Sequence, residues 1–307
     1  MDQQLLAFVT VAQEQNFTRA AQKLHISQPA ISQHIQNLEQ RLDVKLLDRT
    51  NKYVRLNKAG AVVYHHAKEI LNMYYQMDRF VQDLKTDASG PLTIGASFTF
   101  GEYVLPHIIA DFRTRFSKIT PAIVIENTRA IVGRIARGEL DIGIIEGKLI
   151  EEDVEVEPFA KDTVVVVASP FHPLAKQPAV TAQDLAQANW IIREKGSGTR
   201  EITDYLFAAL QIQPKSVLEY SSTQVIKESV EAGLGLSVLS TWVIRKELKW
   251  GSLCHLPVCA TSLHRQFSIV LQKSDFHTKA TEAFRDFLRE NTPTITQAVA
   301  LHQDTDD

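Results

Sequence analysis

The chain has 307 residues, 44% of them hydrophobic and 22% charged, enough to bury more than one core. A formal net charge of −3 excludes a protein that coats nucleic acid by bulk electrostatics, and no apolar run approaches the ~18 residues that span a bilayer. The opening Met1-Asp2-Gln3-Gln4 lacks the basic start and apolar middle of a signal peptide, so a cytoplasmic protein without membrane contact is expected.

Leu5, Leu6, Phe8, Val9 and Ala12 recur at helical spacing, and that helix fades at residues 13–16. Thr18 is positioned to cap a short second helix, Arg19 to Leu24, in which Ala20-Ala21 allow close helix contact. Ser27 offers an N-cap hydroxyl to a third helix, Gln28-Pro29 occupy its first turn, and Ile31, Ile35, Leu38 and Leu42 form its buried stripe. The opposite face shows Gln28, Ser32, Gln33 and Gln36. Leu46-Leu47-Asp48-Arg49 and Tyr53-Val54-Arg55-Leu56 then read as a two-stranded wing with basic residues at its tip.

Asn57 caps a long helix in which positions 59, 63, 66, 70, 73, 77, 80 and 84 hold Ala, Val, His, Ile, Met, Met, Phe and Leu. Alternating steps of four and three make a heptad seam about 40 Å long at ~1.5 Å per residue, which implies pairing with a second copy. Adjacent His65 and His66 point about 100° apart on a helix, which argues against a metal pair and gives His66 to the seam. Asp87-Ala88-Ser89-Gly90-Pro91 breaks the helix and reads as a hinge.

From Leu92 onward, short β-branched runs alternate with amphipathic helices. Strands are expected at 92–96, 122–126, 141–146, 163–168, 190–192, 217–220, 235–239 and 267–271. Continuous runs such as Val164-Val165-Val166-Val167 predict strands covered on both faces, hence a mainly parallel α/β sheet. Cys254 and Cys259 match neither a redox pair nor a zinc knuckle and read as ordinary thiols. The last residues are polar and read as a tail.

A helix-turn-helix needs a short first helix with small residues, a tight turn, and a second helix whose exposed face carries hydrogen-bonding groups for base edges. Residues 18–37 supply all three, with the turn at His25-Ile26-Ser27. Ser27, Gln28, Pro29, Ser32, Gln33 and Gln36 form the candidate reading face, since Gln bonds adenine bidentately and Ser bonds several edges. Thr18, Arg19, Arg49, Thr50, Lys52 and Arg55 suit phosphate oxygens instead. Residues 1–58 carry eight Lys and Arg against five Asp and Glu, so the phosphate contacts belong to this head. Periodicity alone equally suits a solvated helical bundle; the ordered set of caps, Ala-Ala, Ser-Gln-Pro, wing and seam favours the DNA reader.

The stretch Phe17-Thr18-Arg19-Ala20-Ala21 through Leu24-His25-Ile26-Ser27-Gln28-Pro29-Ala30-Ile31-Ser32 to Ile35-Leu38-Glu39 resembles the signature of LysR-type transcriptional regulators. The wing at Leu46-Leu47-Asp48-Arg49 and the helix start at Asn57-Lys58-Ala59-Gly60 are similar too. Gln33 stands where the family often has Arg. The resemblance implies an α/β protein overall: an N-terminal winged helix-turn-helix (1–58), a linker dimerisation helix (59–86), a hinge (87–91), an effector domain (92–295) and a tail (296–307). The effector domain resembles periplasmic binding proteins, with subdomain I at 92–161 and 267–295 and subdomain II at 162–266. Implied partners are double-stranded operator DNA, RNA polymerase, a small-molecule effector and further copies of the chain, as a homodimer and then a homotetramer.

Within the large domain, Ser97 and Thr99 follow the first strand, Asn127 and Thr128 the second, and Glu146 ends the third. Arg193-Glu194-Lys195-Gly196-Ser197-Gly198-Thr199-Arg200 puts a glycine-rich loop, two hydroxyls and two arginines at a helix start, and Thr223 opens another helix. Ser97, Thr99, Asn127, Thr128, Glu146, Arg193, Ser197, Thr199, Arg200 and Thr223 are therefore the candidate effector contacts, for a small anionic metabolite. The stretch from Gly95 to Gly147 and the Gly-Ser-Gly-Thr-Arg loop are similar to the branch of the family that controls sulfur assimilation or carbon dioxide fixation. No H-E-x-x-H, G-x-S-x-G or Walker loop is present, so no catalytic residue, metal or cofactor is expected. An enzyme with an appended DNA-binding module, or an architectural DNA protein without an effector, are the alternatives.

Overall fold

In a computed structural model the described residues are 2–49, 53–83, 87–147, 149, 151–258, 263–293 and 295, and the chain divides into two units, Met1–Lys85 and Thr86–Asp307. The first unit begins with α1 (Gln3–Glu14), whose first N–H groups are accepted by the Asp2 carboxylate, 2.8 Å from Gln4 N. α2 (Phe17–Leu24) is capped by Asn16, which accepts from Thr18 N and Arg19 N; the expected cap, Thr18, lies inside the helix. The helix starts two residues earlier than expected, so Asn16 meets its first free N–H groups and the Thr18 side chain remains exposed. Ser27 caps α3 (Gln28–Leu42) as expected, with Pro29 in the first turn. His25 takes the left-handed conformation at φ 55° and makes the tight turn between α2 and α3.

Phe8, Val11, Ala20, Ala21, Ile31, Ile35 and Leu38 close the core of the three helices. Leu42, expected in the stripe, is exposed, because the left-handed cap at Asp43 ends α3 beyond the edge of that core. β1 (Leu47–Arg49) and β2 (Val54–Leu56) pair antiparallel as the wing. Thr50 and Lys52 lie outside the described residues.

α4 (Lys58–Asp83) starts on Asn57, whose side chain accepts from Gly60 N and donates to the Lys45 carbonyl, both at 2.8 Å. Gly60 is required there, since a Cβ would fall 1.9 Å from the Leu46 carbonyl oxygen. Ala59, Val63, Tyr64, Ala67 and Leu71 join the core of this unit, whereas Ile70, Met73 and Met77 on the seam are exposed at 42%, 69% and 51%. His66 is likewise exposed and pairs with Glu69, so the packing expected for it is not found within this unit. Leu84 lies outside the described residues.

The second unit is α/β. β3 (Gly90–Ala96), α5 (Phe98–Tyr103), α6 (Leu105–Arg115), β4 (Ile119–Ile125), α7 (Thr128–Ala136) and β5 (Ile142–Glu146) build a first lobe, with β3 parallel to both β4 and β5. Gly90-Pro91, assigned to the hinge from sequence, belong to β3. The missing N–H of Pro91 is tolerated because β5 pairs only with Ile94–Ala96. The chain then crosses on β6 (Val154–Ala168) into a second lobe of α8 (Ala182–Gln187), β7 (Asn189–Arg193), α9 (Gly198–Ala209), β8 (Ser216–Tyr220), α10 (Thr223–Glu231), β9 (Ser237–Ser240), α11 (Thr241–Trp250) and β10 (Cys254–His255). It returns on β11 (Leu263–Gln272) and ends on α12 (Lys279–Glu290), which packs on the first lobe.

β6 and β11 run antiparallel to each other from Val154↔Gln272 to Val164↔Leu263, and the valine run of β6 also lies antiparallel to β9 and β10. The sheet is therefore mixed rather than mainly parallel. The apolar run reports burial on both faces, which antiparallel neighbours provide here as well. Among the described residues no helix is long and apolar enough to cross a membrane.

Candidate functional site

On α3, Gln28, Gln33 and Gln36 are exposed and Ser32 is half-buried. Gln28 Nε2 donates to Ser32 Oγ at 3.0 Å and Gln33 Nε2 to Asn37 Oδ1 at 2.8 Å, so the amides are aligned along the helix by one-turn bonds. Ser27 and Pro29 sit exposed at its start, as do Thr18 and Arg19 on α2. On the wing, Arg49 stacks 4.6 Å over the Phe17 ring and Arg55 lies 4.9 Å over Tyr53.

A residue that sequence reasoning assigned no role holds this face to the wing. Glu39 is buried and accepts from Leu46 N at 3.0 Å and Lys45 Nζ at 2.9 Å, with Arg49 at 3.8 Å. Burial opposes its ionisation, but these bonds and cations outweigh burial and hold its carboxyl below the ordinary range. A carboxylate beside the apolar stripe, next to Leu38, was the signal available for it.

In the second unit, eight of the ten expected effector residues are buried between the lobes: Ser97, Thr99, Thr128, Glu146, Arg193, Ser197, Thr199 and Thr223. Three of them, Thr99, Glu146 and Thr199, meet at Arg265, which the sequence reading did not name. Its guanidinium reaches Glu146 Oε2 at 2.8 Å and Asp162 Oδ2 at 2.7 Å, and donates to Thr99 Oγ1 at 3.0 Å and Thr199 Oγ1 at 2.9 Å. Thr99 belongs to the first lobe and Thr199 to the second, so one side chain on a crossing strand ties both. Glu146 also accepts from Thr99 N at 2.7 Å, and its own carbonyl accepts from Thr128 Oγ1 at 3.1 Å. Asp162 accepts from Ser240 Oγ at 2.6 Å.

Two carboxylates thus share one guanidinium in a buried site. Burial opposes ionisation of Glu146, yet Arg265 and Arg193 outweigh it and hold its carboxyl below the usual range. For Asp162 burial prevails over Arg265, helped by the neighbouring Glu146 charge, and its carboxyl is pushed up. Arg193 is matched separately: Glu194 takes it bidentately at 2.8 and 2.9 Å, Thr223 Oγ1 accepts at 2.9 Å, and Phe98 lies 4.5 Å from it. Asn127 joins this group by donating to Glu194 at 3.1 Å.

Arg200 is committed elsewhere. It pairs with Asp204 at 2.8 Å and Glu219 at 2.6 Å and is not part of the Arg265 network. The lobes approach at backbone contact distance, since Arg129 N donates to the Gly196 carbonyl at 3.1 Å. A Cβ on Gly198 would fall 2.2 Å from the Glu146 carbonyl oxygen, so only glycine fits that approach. On α4, His65 and His66 converge on the two oxygens of Glu69 at 3.4 and 3.0 Å despite their divergent directions, because the longer Glu side chain reaches between them.

Comparison with known proteins agrees with this architecture. Residues 3–61 match the family described as bacterial regulatory helix-turn-helix protein, lysR family, and residues 85–293 match the LysR substrate binding domain. The chain is 38% identical over 287 residues to the HTH-type transcriptional regulator CysL of Bacillus subtilis, covering 94% of this chain and 96% of that one. It is 33% identical to a probable RuBisCO transcriptional regulator of Trichormus variabilis, covering 92% and 85%, and so meets the branch that the Gly95–Gly147 stretch resembled. The regulatory domain of Synechocystis PCC6803 CcmR in complex with 2-PG superposes with a TM-score of 0.63 at 27% identity, over 68% of this chain and all of that one. With a winged helix-turn-helix, a long exposed-seam helix and a two-lobed α/β unit in one chain, and both halves matched, the protein belongs to the LysR family of transcriptional regulators.

Proposed function

We propose that the exposed face of α3 reads operator bases while Thr18, Arg19, Arg49, Thr50, Lys52 and Arg55 hold phosphates, and that a small anion bound between the two lobes of the second unit sets operator affinity. The observation that carries the effector reading is Arg265, a buried cation hydrogen-bonded to Thr99 of one lobe and Thr199 of the other. A group in that position feels any change in lobe spacing. An anion that competes for its donors stabilises one spacing over another, which is what differential binding requires. The helix starts at Thr128, Gly198 and Thr223 face the same region and each favours negative charge by ~0.3–1 kcal/mol. CcmR, with its 2-PG, is a relative whose matching domain takes an anion of this class.

The working division is a DNA-binding head to residue 57, a linker helix from Lys58, a hinge ending before Gly90, and an effector domain from there to 295 that crosses between subdomains at 161–162 and 266–267. The exposed seam on α4 supports a dimer through that helix, and the family supports a tetramer of two dimers acting on RNA polymerase in the cytoplasm. The relatives are named as regulators, which supports a sensor rather than an enzyme.

Calorimetric titration of the full chain with 2-phosphoglycolate, sulfate and a panel of carboxylates, beside neutral polyols, tests the reading. Binding of one or more anions with the compound recovered unchanged is expected. Tight binding of only neutral or cationic compounds, or chemical conversion of the bound compound, contradicts it.

A further inference from the structure

We infer that Glu146 is a built-in anion that occupies the effector's own anionic subsite and latches the lobes together, so that the effector enters by displacing it. This inference rests on the effector reading above. Its basis is the placement of the Glu146 carboxylate, which ends β5 and is buried with donors from both lobes and the Arg265 guanidinium turned onto it. Thr99 N donates to Oε1 at 2.7 Å, Arg265 reaches Oε2 at 2.8 Å, and Thr199 Oγ1 lies 3.4 Å from the same oxygen. A backbone N–H from one lobe, a hydroxyl from the other and a guanidinium between them are the donor set an oxyanion requires. The Glu146 side chain fills that set from within.

The charges in the cluster support exchange rather than addition. Arg265 already faces two carboxylates, Glu146 and Asp162, and Arg193 is matched by Glu194. A third free anion would enter beside the two carboxylates that already face Arg265, at a desolvation cost. Replacing Glu146 by an external carboxylate, phosphate or sulfur oxyanion leaves the charge around Arg265 unchanged. Asp162 is the fixed counter-ion of Arg265, since Ser240 at 2.6 Å and Arg265 Nε at 2.7 Å hold it from the side of the crossing strands. Glu146 by contrast is the last residue of its strand, followed by Gly147 at φ +87°, where the chain turns away. The latch also explains why the threonines at 99 and 199 face each other across the cleft: both bind Arg265, and both contact the carboxylate that an effector replaces.

The test compares anion binding to the full chain and to its Glu146→Gln variant by calorimetry, with sulfate and 2-phosphoglycolate as probes. Gln keeps the size and one acceptor oxygen but removes the competing charge, so an incoming anion restores the original charge state instead of having to expel one. Anion binding tightened by about tenfold or more in Glu146→Gln supports the latch, as does binding that appears only in the variant. Glu146→Asp, which keeps the charge and shortens its reach by one methylene, gives intermediate tightening and carries the test if the Gln variant folds poorly. A wild-type chain that binds an anion while both variants bind it equally or more weakly overturns the latch and leaves the effector reading standing. A chain that binds only neutral compounds, with no anion bound by any variant, overturns both.

Discussion

Removing Arg265 isolates the energetics of the buried cluster. In Arg265→Ala, Glu146 and Asp162 lose the cation they share, and Thr99 and Thr199 lose the donor that ties the lobes. Both carboxylates are fully buried, so solvent screening does not soften the change. Breaking a buried pair in this way costs ~3–5 kcal/mol, a large share of the ~5–15 kcal/mol that holds a domain together. A neutral triple variant, Arg265→Met with Glu146→Gln and Asp162→Asn, removes all three charges and should recover most of that loss. Urea unfolding of each full-length chain, followed by the fluorescence of Trp190 and Trp242 in the second unit, gives the measurement. A loss below ~1 kcal/mol for Arg265→Ala, or a triple variant less stable than the single one, would refute the reasoning.

Gln33→Ala should change preference among operator variants, whereas Arg49→Ala should weaken all of them similarly and lower the salt slope by about one; equal loss across all sequences for Gln33→Ala contradicts the assignment. Ile70→Asp with Met77→Asp places charges on the exposed seam of α4 and should yield a species that sediments as a smaller assembly and loses affinity for paired half-sites. Glu39, whose carboxyl is held below its ordinary value near 4.5, stabilises the first unit fully above that pH and loses its contribution as pH falls through the lower native value. Glu39→Gln should therefore flatten the acid side of the stability profile in that window, and an unchanged slope argues against the role given to it.

How much could be read in advance depended on whether a residue's role was local. The caps at Ser27 and Asn57, the Ala20-Ala21 contact and the α3 stripe as far as Leu38 follow from spacing along one helix and were legible. Thr18 was assigned the cap that belongs to Asn16, since either residue can cap and sequence alone does not fix which N–H groups are free. The first half of β6, Val154-Glu155-Val156-Glu157-Pro158, carries alternating charge and a proline and did not read as a strand. Its β-character comes from five registered partners on β11, Ser268 to Gln272, a pairing of distant segments.

The same distance hid the centre of the cleft. Hydroxyls at strand ends marked the rim, whereas Arg265 and Asp162 came together only through folding. An arginine at 265, just ahead of the mostly apolar run from Phe267 to Leu271, was the one local sign of it. Arg200 adjoins the glycine-rich loop in sequence; its guanidinium pairs with Asp204 and Glu219 and also donates to the Arg193 carbonyl.

The measurement that bears most directly on the whole account is the affinity of the full chain for the DNA upstream of its own coding region, titrated with 2-phosphoglycolate and sulfate. The wild-type chain should change its operator affinity, or the spacing of its protected half-sites, with at least one of these anions. The Thr99→Ala, Thr199→Ala variant, which lacks the two hydroxyls that meet Arg265, should bind the operator without that response. Operator binding indifferent to every anion tried, or a response that survives loss of both hydroxyls, would contradict the claim that the cleft around Arg265 controls DNA binding.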